Sequence, residues 1–329
     1  MFSILALSAC EEGENEALMR LEGLSFVPAA DHSLAAQPYS TPEDWGLETA
    51  ILMGRFEVTR GDFLAHLKRV GARPIIPTGD WVAHSYDWNN ESLALPAEMT
   101  YGEAERYAEE IDMRLPSARE WLHVALGRTG QWYPWGGRDQ ESVCNTVEAG
   151  IGGPTLVGTF ASGRSPLFDC YDLVGNLAEW TSSYVPGQMD STFVKWFMTP
   201  AGASSDWKEP AFVSVMGGSY SSPRSKSYSW PPKESIHFNS RTMDKGSVSA
   251  EIGARMCADA EDYLWKHAGA WGVSQLARQR IRAVGSRWAN DRFAREQLGA
   301  MLQRLVLREG AAPALGWLAA GVEGDVPGG

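Results

Sequence analysis

Two carboxylates, Asp172 and Glu179, bracket the run Asp172-Leu173-Val174-Gly175-Asn176-Leu177-Ala178-Glu179-Trp180. A short loop with an acid at each end and freed backbone carbonyls between can wrap a hard, oxygen-seeking cation such as Ca2+. Gly175 allows the tight or left-handed backbone that lets carbonyls converge, and Trp180 is suited to fix the loop in a core. A polar turn between two strands has the same appearance, and the run alone does not separate the two readings. The other groups with metal chemistry are dispersed. His32, His66, His84, His123, His237 and His267 form no ligand spacing, and no cysteine lies in a CxxC pair, which disfavours zinc.

A net charge of -12 argues against nucleic acid as a partner. A hydrophobic content of 44% with 14 tryptophans supports a packed core in a chain of 329 residues. The acidity is uneven, because the segment from Lys266 to Arg308 is rich in arginine. At the amino terminus, the apolar Met1 to Leu7 leads into Leu7-Ser8-Ala9-Cys10, which resembles a bacterial lipobox with Cys10 as the lipidated residue. Glu11 to Glu16 then reads as a tether. The apolar part is short and lacks a preceding basic residue, unlike an ordinary signal. With Cys10 lipidated, Cys144, Cys170 and Cys257 allow one bridge and a free thiol, and burial is the commonest fate of scattered cysteines.

The elements that must position these residues are short. Leu24–Pro28 and Ile51–Glu57 read as strands, and Thr59 with Asp62 starts a helix that Gly71 stops. Thr100/Glu103 and Ser117/Glu120 are capping boxes heading two helices. From Gln131 to Gly218, glycine-rich turns alternate with short apolar runs, ending in the strand Val213–Met216. Between Gln275 and Leu307, apolar residues at helical spacing predict two amphipathic helices broken near Gly285 or Asn290. Such a tail normally packs on its own domain, and its basic face would also suit an acidic surface or anionic headgroups.

The motifs occur in the order of one known family. Phe26-Val27-Pro28, the "EVT" of Glu57-Val58-Thr59, Arg114-Leu115-Pro116-Ser117-Ala118-Arg119-Glu120-Trp121 (family "RLPTEAEW") and Tyr133-Pro134-Trp135-Gly136 come first. The run Tyr171 to Trp180 ("YDMVGNVWEW"), Met216-Gly217-Gly218-Ser219-Tyr220 ("RGGSW") and Ile252-Gly253-Ala254-Arg255 ("GFR") follow. Over about residues 21–258 the chain resembles the formylglycine-generating enzyme, or sulfatase-modifying factor, family. The resemblance implies an α+β, C-type-lectin-like fold with low regular secondary structure, braced by calcium. The organisation would be 1–20 as signal, lipobox and tether, 21–258 as the family domain, and 259–329 as a helical extension. One implied calcium site uses the side chains of Asp172 and Glu179 with the carbonyls of Gly175 and Leu177. A second uses Asn145 and the Thr146 carbonyl, but its downstream ligands have no clear counterpart before Pro154. Where the family places two copper-binding cysteines, this chain has Ser222 and Ser227. A hydroxyl is a hard, weakly acidic ligand and does not replace a thiolate on copper(I), so no copper is expected.

Two functions remain open. The first is a binding or structural module in the bacterial cell envelope, lipid-anchored through Cys10. It would present Tyr220, Arg224, Tyr228 and Trp230 to an envelope protein, peptide or glycan. The alternative is a divergent enzyme of the same family acting on a peptide or small molecule. Ser219, Ser222, Arg224 and Ser227 would lie near its chemistry, yet no acid–base pair and no nucleophile elbow accompanies them.

Overall fold

Short apolar segments separated by glycine turns give short strands, and seven are described: β1 (Leu24–Val27), β2 (Ile51–Gly54), β3 (Ala178–Tyr184), β4 (Phe212–Met216), β5 (Arg241–Asp244), β6 (Ile252–Ala254) and β7 (Cys257–Asp259). The helices are α1 (13–22), α2 (Arg60–Val70), α3 (Tyr101–Glu110), α4 (Ala118–Leu126), α5 (Ala260–His267), α6 (Gln275–Trp288), α7 (Arg292–Val306) and α8 (Pro313–Glu323). The computed structural model describes residues 13–30, 47–73, 75, 92–127, 133–184, 212–224 and 241–324. This mixture of helices and small sheets is an α+β architecture.

Two sheets organise it. The first has the order β1-β2-β7 and is antiparallel, with Leu24 opposite Gly54 and Met53 opposite Cys257. The second has the order β5-β4-β3-β6, in which β6 runs parallel to β3 and sets Gly253 beside Glu179. A Cβ on Gly253 would stand 2.7 Å from the Ala97 carbonyl, so that position tolerates no side chain.

Helix ends follow the local sequence. Thr100 and Ser117 each accept from the backbone N–H three residues on, and Glu103 and Glu120 return the bond to the cap residue's own N–H. Gly71 closes α2 in the left-handed region at φ 66°. Between α4 and β3 only single turns of 3-10 helix occur among the described residues, Val147–Ala149 and Ala161–Gly163.

Two departures from expectation concern the ends, a helix at the amino terminus and a further helix, α8, at the carboxy terminus. Residues 13–22, inside the stretch expected to be a tether from Glu11 to Glu16 and just beyond it, form a helix whose Leu18 and Leu21 are buried. Its apolar side chains find a partner that a tether would lack: the carboxy-terminal helices. Of the two expected positions for the break between α6 and α7, the structure takes the one near Asn290, at Ala289–Asp291, where the Asp291 side chain caps α7. Gly285 lies inside α6 instead, because its missing side chain lets α8 cross there. A Cβ would stand 2.3 Å from the Leu318 carbonyl. The third helix, α8, escaped the sequence reading because Ala- and Gly-rich Pro313–Glu323 carries little amphipathic signal.

Leu18, Leu21 and Phe26 share one continuous core with Trp180, Ile281, Trp288, Leu302 and Leu318. A second cluster joins Met53, Trp121, Leu173, Val174 and Met216 around the site. Cys144, Cys170 and Cys257 are unpaired and buried. No described helix is long and apolar enough to cross a membrane.

Candidate functional site

The loop before β3 is built on left-handed backbone. Asp172, Gly175 and Asn176 have φ of 54°, 81° and 60°. At Gly175 a Cβ would lie 2.1 Å from the Asn145 carbonyl, so only glycine admits the approach of the two segments. Asn176 then ties four segments together. Its Nδ2 donates to Glu57 Oε2 at 2.6 Å, and its Oδ1 accepts from Thr155 N at 2.8 Å and Asn145 Nδ2 at 3.1 Å. Its backbone N–H donates to the Asn145 carbonyl, and its carbonyl accepts from Tyr220 N. Glu57 Oε1 in turn accepts from Leu177 N at 2.9 Å.

Arg255, fully buried, faces this loop from the end of β6. It donates to both oxygens of Glu179, from Nη2 at 2.7 Å and from Nε at 3.0 Å, and to the carbonyls of Gly54 and Tyr171. Trp121 Nε1 adds a third donor to Glu179 at 2.7 Å. Asp172 Oδ2 accepts from Gly158 N at 2.6 Å. Burial lifts Asp172 to about 6, against the Gly158 bond and the Arg255 charge, which pull it down. Burial, followed by the charges of Asp172 and Glu179, pushes Glu57 well above the usual carboxylate range.

A bound cation needs oxygens with lone pairs to spare. Glu179 already accepts three bonds, from Arg255 Nη2 and Nε and from Trp121 Nε1, which leaves a lone pair on Oε1 alone for the expected ion. Asn145 has more to offer. Its Nδ2 lies between two acceptors, the Gly153 carbonyl at 2.9 Å and Asn176 Oδ1, which fixes the amide orientation. Its Oδ1 is then buried without a donor. Asp172 Oδ1 likewise has no donor among the described residues. No group of three or more His, Cys, Asp or Glu side chains among the described residues could hold a metal, so a cation here would draw on amide and backbone oxygens.

The serine face begins one strand away. Ser219 is buried, and its Oγ donates to Glu251 Oε2 at 2.8 Å; the Ser221 hydroxyl donates to the same oxygen at 2.7 Å. Ser222 Oγ accepts from Ser219 N at 2.9 Å, and the Ser222 carbonyl accepts from Val147 N. Arg224 pairs with Asp139 at 2.9 Å, and its N–H donates to Glu148. Tyr220 is partly buried, which raises its phenol. Cys144, next to Arg224, is raised by burial and touches Thr146 Oγ1 at 3.8 Å. The structure thus brings Asn145 and Thr146 against Gly175 and Asn176 of the loop 172–180, which also carries Asp172, Leu177 and Glu179, with Ser219, Tyr220, Ser222 and Arg224 adjoining through Asn176 and Val147. Ser227, Tyr228, Trp230 and Cys10 lie outside the described residues.

Sequence reasoning singled out neither Glu57 nor Arg255 as a site residue, although both stand inside quoted motifs. It missed Asn176 and Glu251 as well. A buried acid beside an invariably charged guanidinium is a long-range match, and only the folded chain shows it.

Residues 13–195 match the family described as sulfatase-modifying factor enzyme 1-like domain. The chain belongs to this family. Two curated members are similar over 130 residues: inactive C-alpha-formylglycine-generating enzyme 2 from Mus musculus at 32% identity and from Bos taurus at 31%. Each alignment covers 35% of this chain and 42% of the relative, so the chain spans less than half the length of either. Among solved structures, PvdO from Pseudomonas aeruginosa superposes with a TM-score of 0.51 at 19% identity, over 72% of this chain and 94% of that one. At that identity the likeness concerns the fold of this sulfatase-modifying-factor-like chain and nothing further.

Proposed function

We propose that this member of the formylglycine-generating enzyme family is a binding or structural module without copper-dependent oxidase activity. The observation that carries the reading is Ser222. At the position of a family copper cysteine stands a hydroxyl whose oxygen accepts from the Ser219 N–H. Such an oxygen is neither soft nor readily ionised, and copper(I) chemistry needs thiolate. The curated relatives named as inactive enzymes agree with this reading. The module would offer Tyr220 and Arg224, with Tyr228 and Trp230, to an envelope protein, peptide or glycan. Cys10 would carry the lipid that holds it at the bacterial envelope.

Calcium enters the proposal as a brace. Asn145 Oδ1, buried without a donor, and the Thr146 carbonyl would hold one ion, and Asp172 with Glu179 and the carbonyls of Gly175 and Leu177 would serve the other expected site. Calcium should raise the melting temperature of chelator-treated protein, and Asn145→Ala should remove that rise. An unchanged melting temperature on adding calcium would remove the brace from the account.

The divergent-enzyme reading rests on the Ser219–Glu251 contact, a hydroxyl beside a carboxylate. The module reading is tested by loading the protein with copper(I) and assaying oxygen-dependent conversion of a cysteine peptide to the aldehyde. No turnover is expected. Turnover above the level of free copper refutes the module.

A further inference from the structure

Two guanidinium groups meet one carboxylate, with a third close by, where the loop after β2, the loop 164–171 and the end of α6 come together. Asp169 pairs with Arg55 Nη2 at 2.7 Å through one oxygen and with Arg164 Nε at 3.3 Å through the other. Arg55 also donates from Nε to the Asp169 carbonyl at 3.4 Å. Arg287 has no carboxylate partner among the described residues. Its Nη2 donates to the carbonyls of Glu22 and Leu24, each at 2.8 Å, and its Nε is buried without an acceptor. The Glu22 side chain offers no relief, because Arg280 takes both of its oxygens.

Backbone contacts place these groups side by side. Arg55 N–H donates to the Gly23 carbonyl, so Arg55 and Arg287 grip the same short stretch, 22–24, from two elements. Asn290 Nδ2 donates to the Leu167 carbonyl at 2.7 Å, which ties the end of α6 to the loop that carries Asp169. Burial, and then the charge of Arg55, hold Arg287 down at about 10, as expected of a cation short of a counter-charge.

The aromatic rings take the guanidinium faces. Of the edges, Arg55 commits Nε and Nη2 to Asp169, while Arg164 commits Nε to Asp169 and Nη1 to the Ala161 carbonyl at 3.3 Å, so Arg55 Nη1 and Arg164 Nη2 are left without a partner among the described residues. Arg55 lies over Phe56 at 5.1 Å and Tyr171 at 5.7 Å, and Arg164 lies over Tyr171 at 6.0 Å. Phe56 and Tyr171 are themselves stacked at 4.9 Å. Stacking occupies the planar faces of the guanidinium, while its N–H bonds point outward in the plane, the geometry that receives oxyanions. Arg164, with 43% of its side chain exposed, opens the cluster to solvent. Three cations against one acid leave a local surplus of positive charge on a chain whose net charge is -12.

We propose that Arg55, Arg164 and Arg287 form a binding site for a doubly charged oxyanion, phosphate or sulfate, taken free or as a monoester on a larger ligand. The site lies apart from the serine face and does not depend on the module reading. Isothermal titration of the full chain with inorganic phosphate, and separately with O-phosphoserine, tests it at an ionic strength held constant with chloride. Saturation at one equivalent is expected. Arg164→Ala should melt like the wild type in chloride and bind at least about tenfold more weakly, as the loss of a charge-assisted bond implies. Tighter binding of O-phosphoserine than of phosphate would support an esterified ligand; equal or weaker binding would support the free anion. Should Arg164→Ala lower the melting temperature, Arg164→Gln serves in its place. No saturable binding, or equal affinities in wild type and variant, overturns the site. So does an equal rise in melting temperature for both, which would reflect only exclusion of the anion from the protein surface.

Discussion

At the residue scale, the Glu179–Arg255 pair sets the character of the site. Both groups are almost wholly buried, and every hydrogen bond of the Glu179 carboxylate goes to Arg255 or Trp121. Removing one member of such a pair leaves an uncompensated charge in the core. Glu179→Gln is therefore expected to cost about 3–5 kcal/mol of stability, measured by urea unfolding, and to cost the same with or without calcium. A loss confined to the calcium-bound protein would return Glu179 to the metal. Asp172 carries a second expectation. Its folded value of about 6 lies above the ordinary aspartate value of 3.8, so between those values the folded state binds more protons than the unfolded one. Stability of calcium-free protein should thus be greatest toward pH 4 and decline as pH rises through 6, all else equal. Asp172→Asn, which keeps an acceptor for Gly158, should flatten that decline and gain roughly 3 kcal/mol at neutral pH. A wild-type pH profile in the variant would contradict it. Gly175 and Trp180 were legible in the sequence because turn and anchor are local properties. The partner of Glu179 was not, because Arg255 is 76 residues away.

At the element scale, the capping boxes at Thr100 and Ser117 and the glycine stop at Gly71 were readable, since each depends on residues within one turn. The three-residue strands β6 and β7 were not, because strands that short are held by their neighbours and not by their own pattern. The same holds for α8, held by its crossing with α6 at Gly285 and Gly321. The junction of α6 with β1 is the most consequential of these contacts. Trp288 lies 6.3 Å from Phe26 and donates to the Leu24 carbonyl at 2.8 Å. Trp288→Ala should lower stability by about 3–5 kcal/mol, read from the denaturation midpoint; a change below 1 kcal/mol would show that the helices rest loosely on the sheet.

At the scale of the whole molecule, the change of texture after Cys257 marks no break in packing. The helices beyond residue 259 bury Leu18, Leu21 and Phe26 in the core they share. The family domain and the helical region accordingly depend on each other for stability. Three of their arginines pair with acids of other elements: Arg280 with Glu22, and Arg304 and Arg308 with Glu261. This reduces the free basic face that the sequence suggested for a membrane surface. The fold was legible because its motifs recur in a fixed order; the function was less so, because the proposed reading turns on a small difference, a hydroxyl where the family resemblance places a thiol. That substitution is most directly tested by copper(I) affinity, measured by competition with a chromogenic chelator for the wild type and for the double variant Ser222→Cys with Ser227→Cys. The wild type should show no stoichiometric binding, and the double variant should gain it. One tightly held copper(I) per wild-type chain would contradict it.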